Sequence, residues 1–250
     1  TLSHSSAASD VYKRQVISRT IQLANGRISV VAGTGSNSTE ETLHQTKEAE
    51  SLGADACLLV TPYYNRPTQE GLYAHFKKVA ETTSVPLVLY NVPGRTGCDL
   101  LPETIGRLSS IEGIVGIKEA SGKIERVSEI RSVSASDFFI LSGEDALTLE
   151  MMNNGAVGTI SVTANVLPKA MAEFCDSFLS GNIKRASAID EVLQSVHEIL
   201  FIESNPTPAK WALHQMGIIH EGIRMPLLPL SSRHRSELKK RIDEAMEALK

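Results

Sequence analysis

Six short apolar runs rich in Val, Ile and Leu recur along this chain, each followed by a helical pattern, and this alternation restricts the fold more than any other feature. The runs fall at residues 28–32, 56–60, 87–90, 113–118, 138–141 and 158–162. They recur at intervals of roughly 20 to 30 residues, the spacing of βαβ units, which implies a parallel sheet. Helices are expected between them near residues 39–52, 70–82, 102–108 and 124–133, with a last one ending at Asn153. Ser38 or Thr39 caps the first of these, with Glu40 and Glu41 in the turn where the helix dipole favours them. Beyond Pro168 the strands cease, and residues 169–179, 184–201, 206–216 and 232–249 read as helices. The last three form an all-helical appendage after Gly181.

Chemistry enters at the ends of two runs. Ile114-Val115-Gly116-Ile117-Lys118 is an apolar strand ending on a lysine. Side chains alternate along a strand, so Lys118 shares a face with Gly116 and Ile114, whereas Ile117 and Glu119 point the other way. Gly116 is expected to leave room beside the amine. An amine against apolar walls resists protonation and becomes a nucleophile toward carbonyls; the plainer reading is a solvated lysine at a strand end. The run Leu87-Val88-Leu89-Tyr90 ends on a tyrosine, and Arg95 follows in a turn bounded by Gly94 and Gly97. On neighbouring strands, about 4.8 Å apart, Tyr90 and Lys118 would face one pocket. Tyrosine relays protons, and arginine clamps a carboxylate through two hydrogen bonds. Separately, Tyr90 reads equally as core packing and Arg95 as a surface ion pair. Together the three describe carbonyl chemistry on a carboxylate-bearing substrate.

Residues of this kind at the carboxyl ends of strands favour a (β/α)₈ barrel. A doubly wound sheet is the runner-up; it would carry a glycine fingerprint opening its first helix, and Gly33-Thr34-Gly35 is only a fragment of one. The net charge of −4 argues against a nucleic-acid footprint. No apolar run is long enough to span a bilayer. Cys57, Cys98 and Cys175 are widely spaced and form no metal or redox pattern, as expected of reduced thiols in a cytosolic protein.

The first residues differ from the rest. Ser5-Ser6-Ala7-Ala8-Ser9-Asp10-Val11-Tyr12-Lys13-Arg14-Gln15 resembles an in-frame translation of a transposase adapter used in DNA sequencing libraries. Residues 1–15 are therefore read as non-native and set apart from the fold; a natural disordered terminus is the other reading. The segments that follow are a helix tail closed by Asn25-Gly26, a partial barrel over residues 16–181 and a helical domain over residues 182–250.

From Val16 onward the chain resembles the dihydrodipicolinate synthase family of the pyruvate-dependent class I aldolases. The motifs are Tyr63-Tyr64-Asn65-Arg66-Pro67, Tyr90-Asn91-Val92-Pro93 with Arg95-Thr96-Gly97, Gly116-Ile117-Lys118-Glu119-Ala120, and residues 158–165. The resemblance implies a (β/α)₈ barrel followed by a C-terminal helical domain, in a homotetramer built as a dimer of dimers. It implies condensation of pyruvate with L-aspartate 4-semialdehyde to 4-hydroxy-tetrahydrodipicolinate, in the diaminopimelate route to lysine. By match, Lys118 forms the Schiff base, Tyr90 shuttles protons, and Tyr64 reaches across a dimer to complete the relay. Arg95 binds the semialdehyde carboxylate, the Ile160 backbone contacts pyruvate, and Gly143 lines the same mouth. No metal or organic cofactor is implied, because the lysine serves as electron sink.

Asn37, Glu41 and Tyr63 resemble members of the family's site for inhibitory L-lysine; otherwise they are solvated loop and helix residues. The family's first two strands, with a Thr-Thr-Gly-Glu loop, are not found in this sequence. The barrel is thus expected to lack two strands, and the chain alone to be nearly inactive. The competing readings are an N-acetylneuraminate lyase-like aldolase, which shares the lysine and tyrosine, and an inactive truncated subunit.

Overall fold

The structure is a computed structural model that describes residues 2–250, with side chains described from Tyr12 onward. The chain divides into two compact units, one ending at Leu141 and the other beginning at Ser142.

The first unit opens with helix α1 (Leu2–Ala24) and then alternates strand and helix. Its elements are β1 (Val31–Gly33), α2 (Thr39–Leu52), β2 (Ala56–Val60), α3 (Gln69–Ala80), β3 (Leu87–Asn91), the single turn α4 (Pro93–Thr96), α5 (Pro102–Ser109), β4 (Ile114–Glu119), α6 (Glu125–Val133) and β5 (Phe139–Ser142), whose last residue is the first of the second unit. The strands form one sheet in the order β1-β2-β3-β4-β5, and the first four are paired in parallel. This strictly sequential order has no point at which the strand order reverses. A doubly wound sheet requires such a switch point, so the runner-up topology is excluded.

Local sequence explains the elements. The Ser38 side chain accepts from the Glu41 amide and caps α2, and Gly53 ends that helix at φ 91°, a left-handed conformation that costs glycine little. Thr68 caps α3 in the same way. Leu59, Leu87, Leu89, Ile117 and Ile140 on the strands are fully buried, as are Leu72, Phe76, Ile105, Leu108 and Ile130 on the helices. Burying a side chain of this size contributes about 1.5–3 kcal/mol, so this layer is the main reason the strands stay in register.

Several expectations are corrected. The strand expected at residues 28–32 begins only at Val31, because the Val30 amide donates to Asp55 Oδ2 at 2.7 Å rather than joining a ladder. The expected sixth strand, residues 158–162, shrinks to a single parallel bridge between Ser142 and Thr159. The amides of Val162 and Thr163 both donate to Asp145 Oδ2 at 2.9 Å, which turns the backbone into a 3₁₀ turn (Thr163–Asn165). The helix tail expected at residues 16–24 is present, as the end of a 23-residue helix that begins at Leu2. The turn carrying Arg95 is one turn of helix.

The second unit contains that 3₁₀ turn, another at Asp145–Leu147, and helices α7 (Thr148–Asn153), α8 (Pro168–Leu179), α9 (Ile183–Ile199), α10 (Thr207–Gln215) and α11 (Ser232–Ala248). Phe174, Leu193, Val196 and Leu238 form its buried apolar centre. Among the described residues, no helix is long and apolar enough to cross a membrane.

Candidate active site

Tyr90 and Lys118 are direct register partners across the parallel β3–β4 pair. The Lys118 Nζ lies 4.3 Å from the centroid of the Tyr90 ring. Both residues are half-buried and sit one position before their strand ends. The expectation that they lie on neighbouring strands therefore holds, and the two side chains share one face. Its physical basis is alternation: equal parity in two aligned parallel strands places two side chains on one face.

Gly116 serves a purpose other than the one expected. A Cβ at this position would lie 2.4 Å from atoms of the Phe139 ring. The missing side chain makes room for Phe139 of β5 rather than for the amine, and the ring builds the wall on the face that Lys118 shares.

The opposite face of the same strand ends is polar. Asn91 and Glu119 are the next register pair, and both are fully buried. Asn91 Nδ2 donates to Glu119 Oε2 at 3.1 Å and to Asp99 Oδ1 at 2.8 Å, and Asn91 Oδ1 accepts from the Leu100 amide at 3.0 Å. Arg126 completes the cluster with two hydrogen bonds to Asp99, at 2.9 and 3.1 Å. Burial raises the Glu119 pKa, opposed by hydrogen bonds from Ser121 and Asn91 and by the charge of Arg126. Sequence reading placed Glu119 on this face but assigned it no partner. The available signal was an acidic residue on the face of the strand it shares with Ile117, which is stable there only with partners.

Arg95, Tyr63 and Tyr64 line one open cleft of about 770 Å³ together with Arg66, Gly94, Thr96 and Gly97. The loop after β2 docks on the loop after β3: the Tyr64 amide donates to the Thr96 carbonyl at 3.2 Å, and Cys98 Sγ to the Pro62 carbonyl at 3.2 Å. Gly97, at φ 75°, lies so close to the Arg66 guanidinium that a Cβ would stand 2.9 Å from its Nε. Tyr64 is 89% exposed and adopts φ 72°, in the left-handed region that non-glycine residues seldom occupy. Tyr64 lies in the loop beyond β2, where its exposure leaves core packing no part in its backbone conformation. Arg66 is a lining residue to which sequence reading gave no role.

Of the expected lysine-site residues, Asn37 and Tyr63 are joined through Asn65, whose side chain donates to the Asn37 carbonyl and whose amide donates to the Tyr63 carbonyl, both at 2.9 Å. Glu41 accepts from Ser36 Oγ at 2.7 Å and Gln45 Nε2 at 2.8 Å, so it is a bonded rather than a merely solvated side chain.

Gly143 and Ile160 belong to the second unit. There the Ile160 amide donates to the Ser142 carbonyl at 2.9 Å, and the Ser142 amide to the Gly158 carbonyl at 2.8 Å, which brings the segments carrying both residues side by side. Among the described residues, no cluster of His, Cys, Asp and Glu is arranged to hold a metal ion.

The sequentially ordered parallel α/β sheet carries an amine and a phenol paired near its strand ends, an arrangement suited to Schiff-base chemistry. The sequence profile of the dihydrodipicolinate synthetase family matches residues 4–245. The chain belongs to this family. The 4-hydroxy-tetrahydrodipicolinate synthase of Pseudomonas aeruginosa is 55% identical over 229 residues, covering 91% of this chain and 78% of that protein. The enzyme of the same name from Methylococcus capsulatus is 53% identical over 231 residues, covering 92% and 79%. The chloride-inhibited dihydrodipicolinate synthase of Acinetobacter baumannii, crystallised with pyruvate, superposes with a TM-score of 0.93 at 49% identity, covering 95% of this chain and 81% of that one. The lysine-bound enzyme of Cyanidioschyzon merolae superposes at 0.91 with 35% identity, covering 95% and 81%. These relatives favour the synthase over the neuraminate lyase reading and support the (β/α)₈ class of fold with C-terminal helices.

Proposed function

We propose that this chain condenses pyruvate with L-aspartate 4-semialdehyde to 4-hydroxy-tetrahydrodipicolinate. The observation that carries the reading is the Tyr90–Lys118 register pair, in a chain whose relatives bear the synthase name.

The neutral Lys118 amine adds to the keto carbon of pyruvate, and the oxygen leaves as water, giving an imine. Proton movement at that oxygen needs an acid–base group beside the amine; the Tyr90 phenol lies on the same face and fills that role. The imine then accepts the electron pair released when a methyl proton of pyruvate is removed. The resulting enamine attacks the aldehyde carbon, whose oxygen becomes the hydroxyl of the product. The amino group of the second substrate then attacks the imine carbon, closes the ring and releases Lys118 as the free amine. No external electron acceptor is required, because the protonated imine holds the pair.

Arg95 holds the semialdehyde carboxylate from the open cleft, and Tyr64 extends into a partner subunit to complete the proton relay. The Ile160 backbone and Gly143 form the pyruvate mouth. Asn37, Glu41 and Tyr63 take L-lysine as a feedback inhibitor, a ligand class supported by the lysine-bound relative. The working assembly is a homotetramer in the cytoplasm, with the barrel ending near Gly181 and the helical domain following.

Borohydride trapping with pyruvate on the chain extended by the family's first two strands, followed by peptide mass mapping, tests the reading. The expected adduct is a reduced pyruvyl group on Lys118. An adduct on a different lysine, or none, overturns it.

A further inference from the structure

The cluster behind the Tyr90–Lys118 pair joins the two strand ends that carry these residues to the loop that carries Arg95. Asn91 directly follows Tyr90 in β3, and Glu119 directly follows Lys118 in β4. Asp99 and Leu100 end the loop that carries Arg95. One side chain, Asn91, bonds to Glu119, to Asp99 and to the Leu100 amide.

We infer that Asn91 is the positioning residue of this site, setting the Lys118 strand end and the Arg95 loop in a fixed relation to Tyr90. The inference rests on the proposed roles of those three residues but concerns a different group, one that touches no substrate.

The bonding capacity of an amide fits the position. An asparagine side chain offers two N–H donors and a carbonyl acceptor, and each is used: one N–H toward Glu119, one toward Asp99, and the oxygen toward Leu100. An aspartate would set a third carboxylate beside two others and lose both donors. Asn91 and Glu119 are both fully buried, so a partner lost between them leaves a polar atom without water to replace it. The loop end is held from two further directions. Gln69 Nε2 donates to the Asp99 carbonyl at 2.7 Å, and the Leu101 amide donates to Gln69 Oε1 at 3.1 Å. Arg126 neutralises Asp99 from α6 and donates to the Leu100 carbonyl at 3.3 Å. Glu119 is anchored on its other side by the Ser121 amide at 2.7 Å. With the surroundings pinned in this way, Asn91 is the link joining the two halves.

The test uses the full chain and two readouts. The first is the rate at which an acylating reagent modifies Lys118, measured across pH against surface lysines by mass mapping. It does not depend on pyruvate chemistry and so stands whether or not the proposed reaction does. The second is the KM for semialdehyde against kcat. In Asn91→Ala, both the Lys118 labelling profile and the semialdehyde KM are expected to change by about 10-fold or more, as small displacements of reacting groups do. Glu119→Gln should change mainly the labelling, and Asp99→Asn mainly the KM. If Asn91→Ala does not fold, the two milder variants carry the test. A folded Asn91→Ala or Glu119→Gln variant with an unaltered Lys118 profile overturns the inference; failure of wild-type trapping with pyruvate overturns only the proposed reaction.

Discussion

The Phe139 ring of β5 occupies the space where a side chain at Gly116 of β4 would begin, with ring atoms 2.4 Å from the position of that Cβ. The contact ties the wall beside Lys118 to a glycine two residues away on the same face. We predict that Gly116→Ala destabilises the protein by about 1–3 kcal/mol, the usual cost of overpacking a filled core. The double variant Gly116→Ala, Phe139→Leu should recover part of the loss. Urea denaturation midpoints measure both, and an unchanged midpoint in the single variant would refute the contact.

The exposed cleft makes a separate prediction for Arg95. Arg95→Lys keeps the charge but loses the two-pronged geometry of the guanidinium. The semialdehyde KM should rise by about 10–100-fold, the worth of a hydrogen bond to a charged group. Trapping of pyruvate on Lys118 should be unaffected. Equal loss of both steps would show that Arg95 does not act on the second substrate alone.

His75 predicts a pH effect on stability. Its side chain is buried, with Nδ1 bonded to Thr39 Oγ1 at 2.8 Å, and burial lowers its pKa to about 4. The unfolded chain, with an ordinary histidine near 6.5, binds the proton more readily between these values. The contribution is therefore complete above about pH 6.5 and is lost as pH falls toward 4, by up to ~3 kcal/mol. Urea unfolding at several pH values should show this slope, and His75→Gln should flatten it. Parallel profiles for the two proteins would exclude His75 as the cause.

Residues 12–16 are exposed on α1, and the Arg14–Glu48 pair at 3.3 Å has its arginine side chain 60% exposed. Surface pairs of this kind contribute little. We predict that deleting residues 1–15 shifts unfolding free energy by no more than about 0.5 kcal/mol. A loss of several times that size would mean that the segment packs as part of the fold.

Much of the fold was legible because period-2 and period-3.6 patterns are local. The strands at residues 56–60, 87–91 and 114–119 and helices α2, α3, α9 and α11 lie within a few residues of their expected bounds. The two strand failures have a common cause. Asp55 and Asp145 capture backbone amides that the pattern had assigned to strands. A side chain that intercepts an amide from 17 or 25 residues away leaves no trace in local periodicity.

The sequence by itself determined the parallel α/β class, the face shared by Lys118 and Gly116, and the candidate roles of Lys118, Tyr90 and Arg95, because alternation and residue chemistry are properties of the chain. Only the tertiary structure decided that Tyr90 aligns with Lys118, that Phe139 fills the space over Gly116, and that Asn91 bonds at once to Glu119, Asp99 and Leu100. Those relationships depend on strand register and on loops returning to the sheet. Register is chosen by the burial of the whole apolar layer, which no single stretch of sequence contains.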